Sequence, residues 1–484
     1  MALVTAIVVC GGIAMKNRML LSKQGEMRLD VTVFGSKPLL DAIEDEALQQ
    51  LRNAACLPGV CGLVAMPDIH TGYGLPIGGV MAVDAENGIV SPGAVGVDIN
   101  CGVRAVSVPV GHQEIRAHLK ELLSGITAVV GTGVGGKTRS QIGRVTGRDF
   151  RRLVEGGIPE LVPQGYATPD DVECTEEHGH LTPANLDHVS QRAAERGSGQ
   201  IGTLGSGNHF IEIQQVAQVY DAKLAGPMGL VEGQVCLMIH CGSRGFGEQI
   251  CQDYLRTMEH AMAKYDIYPP TKHLASVPIN SPEGQAYLSA MGCAANFAWV
   301  NRQVILYEIR KVFQRVLGLA PGKLRLIYDV CHNIAKLEEH GGRRLLIHRK
   351  GATRAFPAGH PAVPERYRSI GQPAIIPGSM GTPSFIVVGT DRAMTEAYGS
   401  VNHGSGRVMS RAQAMGKRGR AGKISDQEFR ESMKGIVYMS GSGENLLDEA
   451  PQAYKDSVEV VDSLADIGLV VKAARLVPLA VLKG

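Results

Sequence analysis

Residues 285–317 read QAYLSAMGCAANFAWVNRQVILYEIRKVFQRVL, the longest stretch with a helical pattern in the chain. Ala, Val and Ile recur there at spacings of three and four residues, which predicts one long helix. Further helices are predicted at 39–55, 117–124, 149–155 and within 169–197, and strands at 235–240, 323–330 and 384–388. Helices and strands are intermixed without a repeat or a clear linker, so we predict a single α+β unit.

The composition is that of an ordinary globular protein, with 484 residues, 44% of them hydrophobic and 20% charged. The net charge is only +2, but residues 341–423 hold fourteen Lys and Arg against three Asp and Glu. We expect this basic segment to contact phosphates, and a solvated basic surface is the alternative. The candidates within it are Arg343, Arg344, Arg349, Lys350 and Arg354.

The ten cysteines are scattered and form no CxxC pairs, so the sequence does not predict a structural zinc site. Such a pattern is typical of a reducing compartment, and we expect a cytoplasmic protein. An apolar stretch at 2–14 is too short to span a bilayer. We therefore expect no membrane association, and a monomer is the default expectation.

Four glycine-rich or strand-ending segments carry side chains that can bind metal. GAVGVDINCG contains Asp98 and Cys101, GSGNHFIE contains His209, LMIHCGSRG contains His240, and LIYDVCHN contains His332. Any one of them alone could be a buried structural residue. Together a carboxylate, a thiolate and three imidazoles are enough ligands for two metal ions with a shared bridge. Paired metal ions are a recurring solution for phosphoryl transfer.

A further histidine, His403, lies in the segment VNHGSGR with Arg407, and Arg411 follows shortly after. Glycines allow phosphates to approach, arginines neutralise them, and a neutral imidazole nitrogen could attack phosphorus. Upstream, PGSMGTPS at 377–384 offers backbone N–H groups and hydroxyls to phosphate or ribose. The stretch MPDIHTGYGLPIGG contains Asp68 and His70. They could support the metal ligands, contact a bound ligand or belong to a tightly packed turn.

MPDIHTGYGLPIGG, GAVGVDINCGVR, GTLGSGNHFIE, MIHCGSRGFG, DVCHN and NHGSGR occur in this order. With these motifs the chain resembles the RtcB family of RNA-splicing ligases, from about residue 25 to residue 484. The resemblance implies an α+β fold, a single large RtcB-like domain of mixed β-sheets flanked by helices. Residues 1–24 lie outside the resemblance and are interpreted as an N-terminal extension.

The resemblance also implies the cofactors and the site residues. Two Mn²⁺ ions are expected, with Cys101 bridging them, His240 and His332 completing one site, and Asp98 and His209 completing the other. GTP is the expected co-substrate, and His403 is the expected nucleophile that becomes guanylylated. The positions that match the family's nucleotide site are Asn208, Phe210, Glu212, Ser379, Ser384, His403, Gly404, Ser405, Gly406, Tyr454 and Lys483.

The implied reaction joins RNA 3′-phosphate or 2′,3′-cyclic phosphate ends to 5′-hydroxyl ends, through an RNA-3′pp5′G intermediate. It would serve tRNA splicing or RNA repair, and the sequence leaves the need for an activating protein open. Arg244, Arg349, Lys350, Arg407 and Arg411 are the candidates for RNA phosphate contacts. Two alternatives remain: a two-metal phosphoesterase, which would not need His403 or Lys483, and a non-catalytic scaffold, which would be expected to have lost metal ligands.

Overall fold

The fold is described from a computed structural model, which covers residues 16–417, 420–441 and 446–484. Most of the predicted N-terminal extension, residues 1–15, lies outside this range. The predicted boundary at residue 25 falls inside the folded domain, because Arg18–Leu21 pairs with Val31–Phe34 at the edge of a sheet. Arg18 also forms a 2.5 Å ion pair with Glu396, which anchors this strand to a distant part of the chain.

The strands are β1 (Arg18–Leu21), β2 (Val31–Phe34), β3 (Val60–His70), β4 (Ile77–Asp84), β5 (Ile89–Val90), β6 (Gly102–Gly111), β7 (Gly131–Thr132), β8 (Thr203–Gly205), β9 (Phe210–Val219), β10 (Gln234–Cys241), β11 (Val277–Pro278), β12 (Arg325–Cys331), β13 (Asn333–His340), β14 (Arg343–Lys350), β15 (Ala352–Arg354), β16 (Pro373–Ile376), β17 (Ser384–Gly389), β18 (Ser400–Asn402), β19 (Gly416–Lys417), β20 (Arg420–Ala421), β21 (Val437–Ser440) and β22 (Val470–Lys483).

The helices are α1 (Lys37–Asp41), α2 (Asp45–Ala54), α3 (His112–Ile115), α4 (Leu119–Val129), α5 (Gly147–Gly156), α6 (Pro169–Glu173), α7 (Gln191–Gly197), α8 (Ala222–Met228), α9 (Arg244–Ala261), α10 (Pro282–Leu317), α11 (Asp391–Ala397), α12 (Arg411–Met415), α13 (Asp426–Ser432) and α14 (Ser457–Asp466). None of the helices in the described ranges is both long enough and apolar enough to span a bilayer.

The long helix predicted at 285–317 is α10, which has 36 residues. The Ser281 hydroxyl accepts a hydrogen bond from the Gly284 N–H and Pro282 occupies the first turn, so that two signals favour a helix start here. Gly318 ends the helix in the left-handed conformation, at φ 68°. The helix is buried along most of its length because its first two thirds pack into one hydrophobic core and its last third packs into a second.

Other predictions are confirmed less completely. The pattern at 39–55 forms two short helices, α1 and α2, separated by a break. The segment 169–197 contains two separate α-helices, α6 and α7, and the connection between them includes two short 3-10 helices. Pro183 interrupts this segment, because proline cannot donate the backbone hydrogen bond that a continuing helix needs.

Two large sheets form the framework. The first has six strands in the order β1-β2-β3-β4-β14-β13, antiparallel except for the parallel pair β2 and β3. The second follows the order β12-β6-β10-β9-β22-β17-β16, with β21 parallel to β22. Its end strands β12 and β16 also approach each other, so that the sheet is curved towards a barrel. The mixed sheets and flanking helices confirm the predicted α+β class.

Candidate active site

The register of the large sheet brings four predicted metal ligands to one of its edges. In the ladder, His240 lies opposite Val103 and Phe210, and Cys331 lies opposite Gly102. Cys101 therefore precedes β6, His209 precedes β9, and His332 follows β12, all at the level of His240. Strands that end at one level place their flanking side chains together, which explains why residues so far apart in sequence meet.

The side chains of Asp98, Cys101, His209, His240 and His332 converge there. The Cys101 Sγ lies 3.3 Å from His240 Nε2 and 3.5 Å from His209 Nε2. The two remaining close pairs are His240 Nε2 with His332 Nε2 at 3.3 Å and His209 Nε2 with Asp98 Oδ2 at 2.9 Å. These contacts define two three-residue clusters that share Cys101: Cys101, His240 and His332, and Asp98, Cys101 and His209.

The electrostatics of the clusters suit divalent cations. Burial lowers the pKa of both His240 and His332 well below the usual value, so their rings are neutral and can offer lone pairs. Burial, and then the nearby Asp98 carboxylate, raise the pKa of Cys101 to about 12. Since metal ligation requires a thiolate, a cation bound there would displace the thiol proton. Thiolate, imidazole and carboxylate together fit a transition-metal ion.

Gly242 shows how tightly the backbone surrounds Asp98. A Cβ at this position would lie 2.3 Å from both carboxylate oxygens of Asp98. The carboxylate cannot yield easily, because its Oδ1 accepts a hydrogen bond from the Ser243 N–H at 3.0 Å. Glycine is therefore required beside the Asp98 cluster.

A cavity of about 270 Å³ adjoins the clusters. It is lined by a candidate metal ligand, other histidines and cationic side chains. His240 and His403 both line it, which places the predicted nucleophile next to the predicted metal ligands. The remaining lining residues are His70, Ile77, Asn208, Phe210, Pro377, Gly378, Ser379, Met380, Gly404, Ser405, Gly406, Arg407, Arg411, Glu449, Tyr454 and Lys483. Nine of the predicted nucleotide-site residues, His403 among them, thus line one cavity.

Glu212 and Ser384, the other two residues predicted for the nucleotide site, are buried behind the cavity. The Gln214 side chain donates to Glu212 Oε2 at 2.6 Å and to Ser384 Oγ at 3.0 Å. The Ser384 hydroxyl also accepts from the Gly378 N–H at 3.0 Å, which fixes a loop that lines the cavity.

His403 follows β18 and is held by Asp68 of β3. The Asp68 Oδ2 lies 2.6 Å from His403 Nδ1, and it also accepts from the backbone N–H groups of His403 and Gly404 at 3.1 and 3.3 Å. Asp68 is completely buried. With Nδ1 bonded to a carboxylate, Nε2 is the ring nitrogen left for chemistry.

Comparison with known proteins agrees with this geometry. A family model described as "tRNA-splicing ligase RtcB" matches residues 50–484. The tRNA-splicing ligase RtcB of Archaeoglobus fulgidus is 46% identical over 465 residues, which cover 95% of each chain. The chain belongs to the RtcB family. Similar RtcB proteins include that of Methanococcus maripaludis, 44% identical over 95% of each chain, and that of Mycobacterium tuberculosis, 45% identical over 90% of this chain and all of the relative. The protein is accordingly an RNA ligase.

The RtcB cavity contains one acidic residue that the motifs did not reveal, Glu449. Its carboxylate accepts from Lys483 Nζ at 2.8 Å and from the Tyr454 hydroxyl at 2.5 Å. The guanidinium groups of Arg407 and Arg411 lie 3.3 and 3.1 Å from it. Burial alone would raise its pKa, but the charges of Lys483 and Arg411 bring that pKa to about 2. The segment LLDEAPQAY around Glu449 carries no pattern that could have identified it.

The structure corrects the interpretation of the basic segment at 341–423 in this RtcB protein. Arg349 is completely buried, and it binds both oxygens of Glu338, at 2.5 and 2.9 Å. Lys350 is also buried, and its Nζ donates to the backbone carbonyls of Tyr73 and Gly93. Arg354 pairs with Glu177. These three side chains form ion pairs and hydrogen bonds inside the fold, so we do not expect them to contact RNA.

Two of the other three predicted phosphate contacts lie at the cavity. Arg407 and Arg411 line it, and Arg411 is 46% exposed by side chain. Arg244 is half-buried at the start of α9, where its guanidinium donates to Thr203 Oγ1 and to the Gly133 carbonyl, both at 3.2 Å. Of the basic segment, residues 418 and 419 lie outside the described residues.

Proposed function

We propose that this chain is a GTP- and Mn²⁺-dependent RNA ligase that joins RNA 3′-phosphate or 2′,3′-cyclic phosphate ends to 5′-hydroxyl ends. The observation that carries the proposal is the position of His403. Its imidazole is fixed by a buried carboxylate and lines a cavity that also contains a metal-ligand histidine and three cationic side chains. A two-metal phosphoesterase would need the metal ligands but not a histidine nucleophile, because metal-activated water would attack phosphorus in its place.

Two Mn²⁺ ions would be held by Asp98, Cys101, His209, His240 and His332, with Cys101 common to both. When bound, they supply positive charge that polarises and neutralises phosphate oxygens. The chain's own residues keep the ligand atoms together, because every one of the five side chains is anchored at the edge of the large sheet or in the adjoining loop.

The first chemical step is the attack of His403 Nε2 on the α-phosphorus of GTP. An N–P bond forms, the bond to the β-phosphate oxygen breaks, and pyrophosphate leaves. Asp68 keeps the proton on Nδ1 and stabilises the positive charge that develops on the ring. Arg407 and Arg411 lie where they can neutralise the phosphates of the nucleotide.

In the second step an oxygen of the RNA 3′-phosphate attacks the phosphorus of the histidine-bound GMP. The N–P bond breaks, His403 is regenerated, and the RNA carries a 3′pp5′G end. In the third step the 5′-hydroxyl of the second RNA end attacks the 3′-phosphorus, and GMP leaves as the phosphodiester forms. Activation through GMP is needed because an unmodified phosphate has no good leaving group.

The nucleotide is expected to lie in the cavity between Phe210, Tyr454 and Lys483 at one end and His403 at the other. Arg244, Arg407 and Arg411 are the phosphate contacts that we retain for RNA ends. We further propose that the enzyme acts in tRNA splicing or RNA repair, as a monomer in the cytoplasm.

The proposal is tested by incubating the purified protein with α-labelled GTP and Mn²⁺ and separating the products on a denaturing gel. We expect a labelled protein band that survives alkali and is lost in mild acid, which is the behaviour of a phosphoramidate. His403→Ala should abolish the label, whereas His260→Ala, an exposed histidine of α9, should retain it. Absence of label from the wild-type protein, with continued hydrolysis of cyclic phosphate ends, would refute the ligase proposal and favour a phosphoesterase.

A further inference from the structure

Arg302 lies in the middle of α10 and is completely buried. All of its N–H groups have acceptors. Its Nη1 donates to the carbonyls of Asn100 and Cys241, both at 2.8 Å, and its Nη2 donates to Asn100 Oδ1 at 3.0 Å and to Asp329 Oδ1 at 2.8 Å. Its Nε lies 3.0 Å from Asp329 Oδ2.

The three partners of Arg302 come from the three segments that carry one metal cluster. Asn100 directly precedes Cys101, Cys241 directly follows His240, and Asp329 lies on β12, which leads to His332. One guanidinium group therefore ties together the backbone beside Cys101 and His240 and the strand that ends before His332. Its neighbour Asn301 adds bonds of the same kind, to the carbonyls of Thr203 and Gly242.

Stability alone does not explain this arrangement. Asp329 and Arg302 are both fully buried, and Asp329 also binds Arg104 at 2.7 Å. Buried ion pairs lose so much solvation that apolar side chains of similar volume are often as stable. A rigid, planar fork with five donors is nevertheless the group that can hold three separate acceptors in fixed directions.

We infer that Arg302 is a positioning residue for the metal site, which holds Cys101, His240 and His332 together before any metal ion binds. This inference rests on the metal site of the proposed function. Arg302 does not touch the ligand atoms, so its effect reaches them through the backbone and through Asp329. Loss of residues that orient metal ligands typically lowers metal affinity 10- to 100-fold.

The test compares Arg302→Lys with Arg310→Lys, two changes on the same helix. Arg310 is also buried, and its hydrogen bonds go to both oxygens of Asp171, at 2.8 and 2.7 Å, and to the Leu324 carbonyl. None of these partners adjoins a metal ligand in sequence. Each metal-free protein is titrated with Mn²⁺ while free Mn²⁺ is followed by electron paramagnetic resonance, and its melting temperature is measured without metal.

We expect both variants to melt at a lower temperature than the wild type, but only Arg302→Lys to lose Mn²⁺ affinity, by about 10- to 100-fold. Wild-type affinity in a folded Arg302→Lys protein would overturn the inference. If Arg302→Lys does not fold, Asn100→Gly decides, because it removes one acceptor of Arg302 and tolerates the positive φ of 52° at that position. Unchanged affinity in Asn100→Gly would then overturn the inference. Failure of the wild-type protein to bind Mn²⁺ would instead overturn the proposed metal site, and this inference with it.

Discussion

At the scale of single residues, the two aspartates near the cavity act in different ways. Asp98 belongs to a metal-ligand cluster, whereas Asp68 binds the His403 ring and the backbone on either side of it. The buried amine of Lys455 donates to the carbonyls of Pro67 and Ile69, at 2.9 and 2.7 Å, and so fixes the strand on both sides of Asp68. Contacts from the six-stranded sheet therefore fix the position of His403, the proposed nucleophile.

Asp68→Asn tests this role. An amide can donate to Nδ1 and so favour the tautomer with a proton on Nε2, which blocks attack by that nitrogen. We expect the rate of labelling by α-labelled GTP to fall by about 100-fold or more. Asp84→Asn, on the neighbouring strand β4, serves as the control and should label normally. A normal rate in Asp68→Asn would show that the carboxylate is not needed to orient His403.

A second residue, Glu212, gives a pH-dependent prediction. Burial raises its pKa from 4.5 to about 8, although Lys483 and Gln214 oppose this rise. Between these pH values the carboxyl group is protonated in the fold and ionised in the unfolded chain. Folding then takes up a proton, so the free energy of unfolding falls as the pH rises from 4.5 through 8.

Glu212→Gln removes this titration and keeps the shape of the side chain. Melting temperatures are measured without nucleotide. We expect the melting temperature of the variant, relative to that of the wild type, to increase as the pH rises from 4.5 to 8. Glu86→Gln, at an exposed loop position, should show no such trend. A difference between Glu212→Gln and wild type that stays constant with pH would contradict the raised pKa.

At the scale of elements, α10 links the two hydrophobic cores and carries the residues that bind the metal-site segments. Its first half packs against α5 and α9, and its end packs against α4. Arg302 lies roughly 30 Å from the first turn of the helix, at a rise of about 1.5 Å per residue. The two functions of the helix, stability and support of the site, can therefore be separated by mutation.

Ser281→Ala removes the hydroxyl that caps the first turn of α10. We expect the free energy of unfolding to fall by about 1 kcal/mol, because one N–H group at the helix start loses its acceptor. Chemical denaturation measures this loss. The Mn²⁺ affinity should not change, and a loss of affinity in Ser281→Ala would show that the whole helix, rather than Arg302, supports the site.

At the scale of the whole molecule, the cavity lies where the two sheets meet. The large sheet carries Lys483 and the candidate metal ligand His240, while the six-stranded sheet carries Asp68 and, through it, holds His403. The centroids of the His332 and His403 rings lie 4.9 Å apart, so the residues positioned by the two sheets are close together. A site assembled from such distant segments exists only in the folded chain.

Mn²⁺ should consequently stabilise the folded protein. If the ion binds only the folded state, a free concentration 100 times the dissociation constant should raise the free energy of unfolding by about 2.7 kcal/mol for each site. Denaturation with and without Mn²⁺ measures this effect. His332→Ala should lose much of the gain, and an equal gain in this variant would show that Mn²⁺ binds elsewhere.

The sequence by itself determined the α+β class, the long helix at 285–317, the metal-capable residues and, through the family resemblance, nine of the residues that line the cavity. These features depend on local periodicity and on short motifs, which a linear sequence contains in full. It could also name Asp68 and His70 as supporting residues, without saying which group Asp68 supports.

Only the tertiary structure decided which charged side chains face the site and which form buried ion pairs and hydrogen bonds. The sequence suggests a basic surface at Arg349, Lys350 and Arg354. In the fold, Arg349 pairs with Glu338, Lys350 binds two backbone carbonyls, and Arg354 pairs with Glu177. These partners are distant in the chain or lie on neighbouring strands. Glu449 and Arg302 have no sequence signature, because their roles come from long-range contacts. The physical reason is that burial and ion pairing depend on strand register and helix packing, which bring together residues that no local pattern connects.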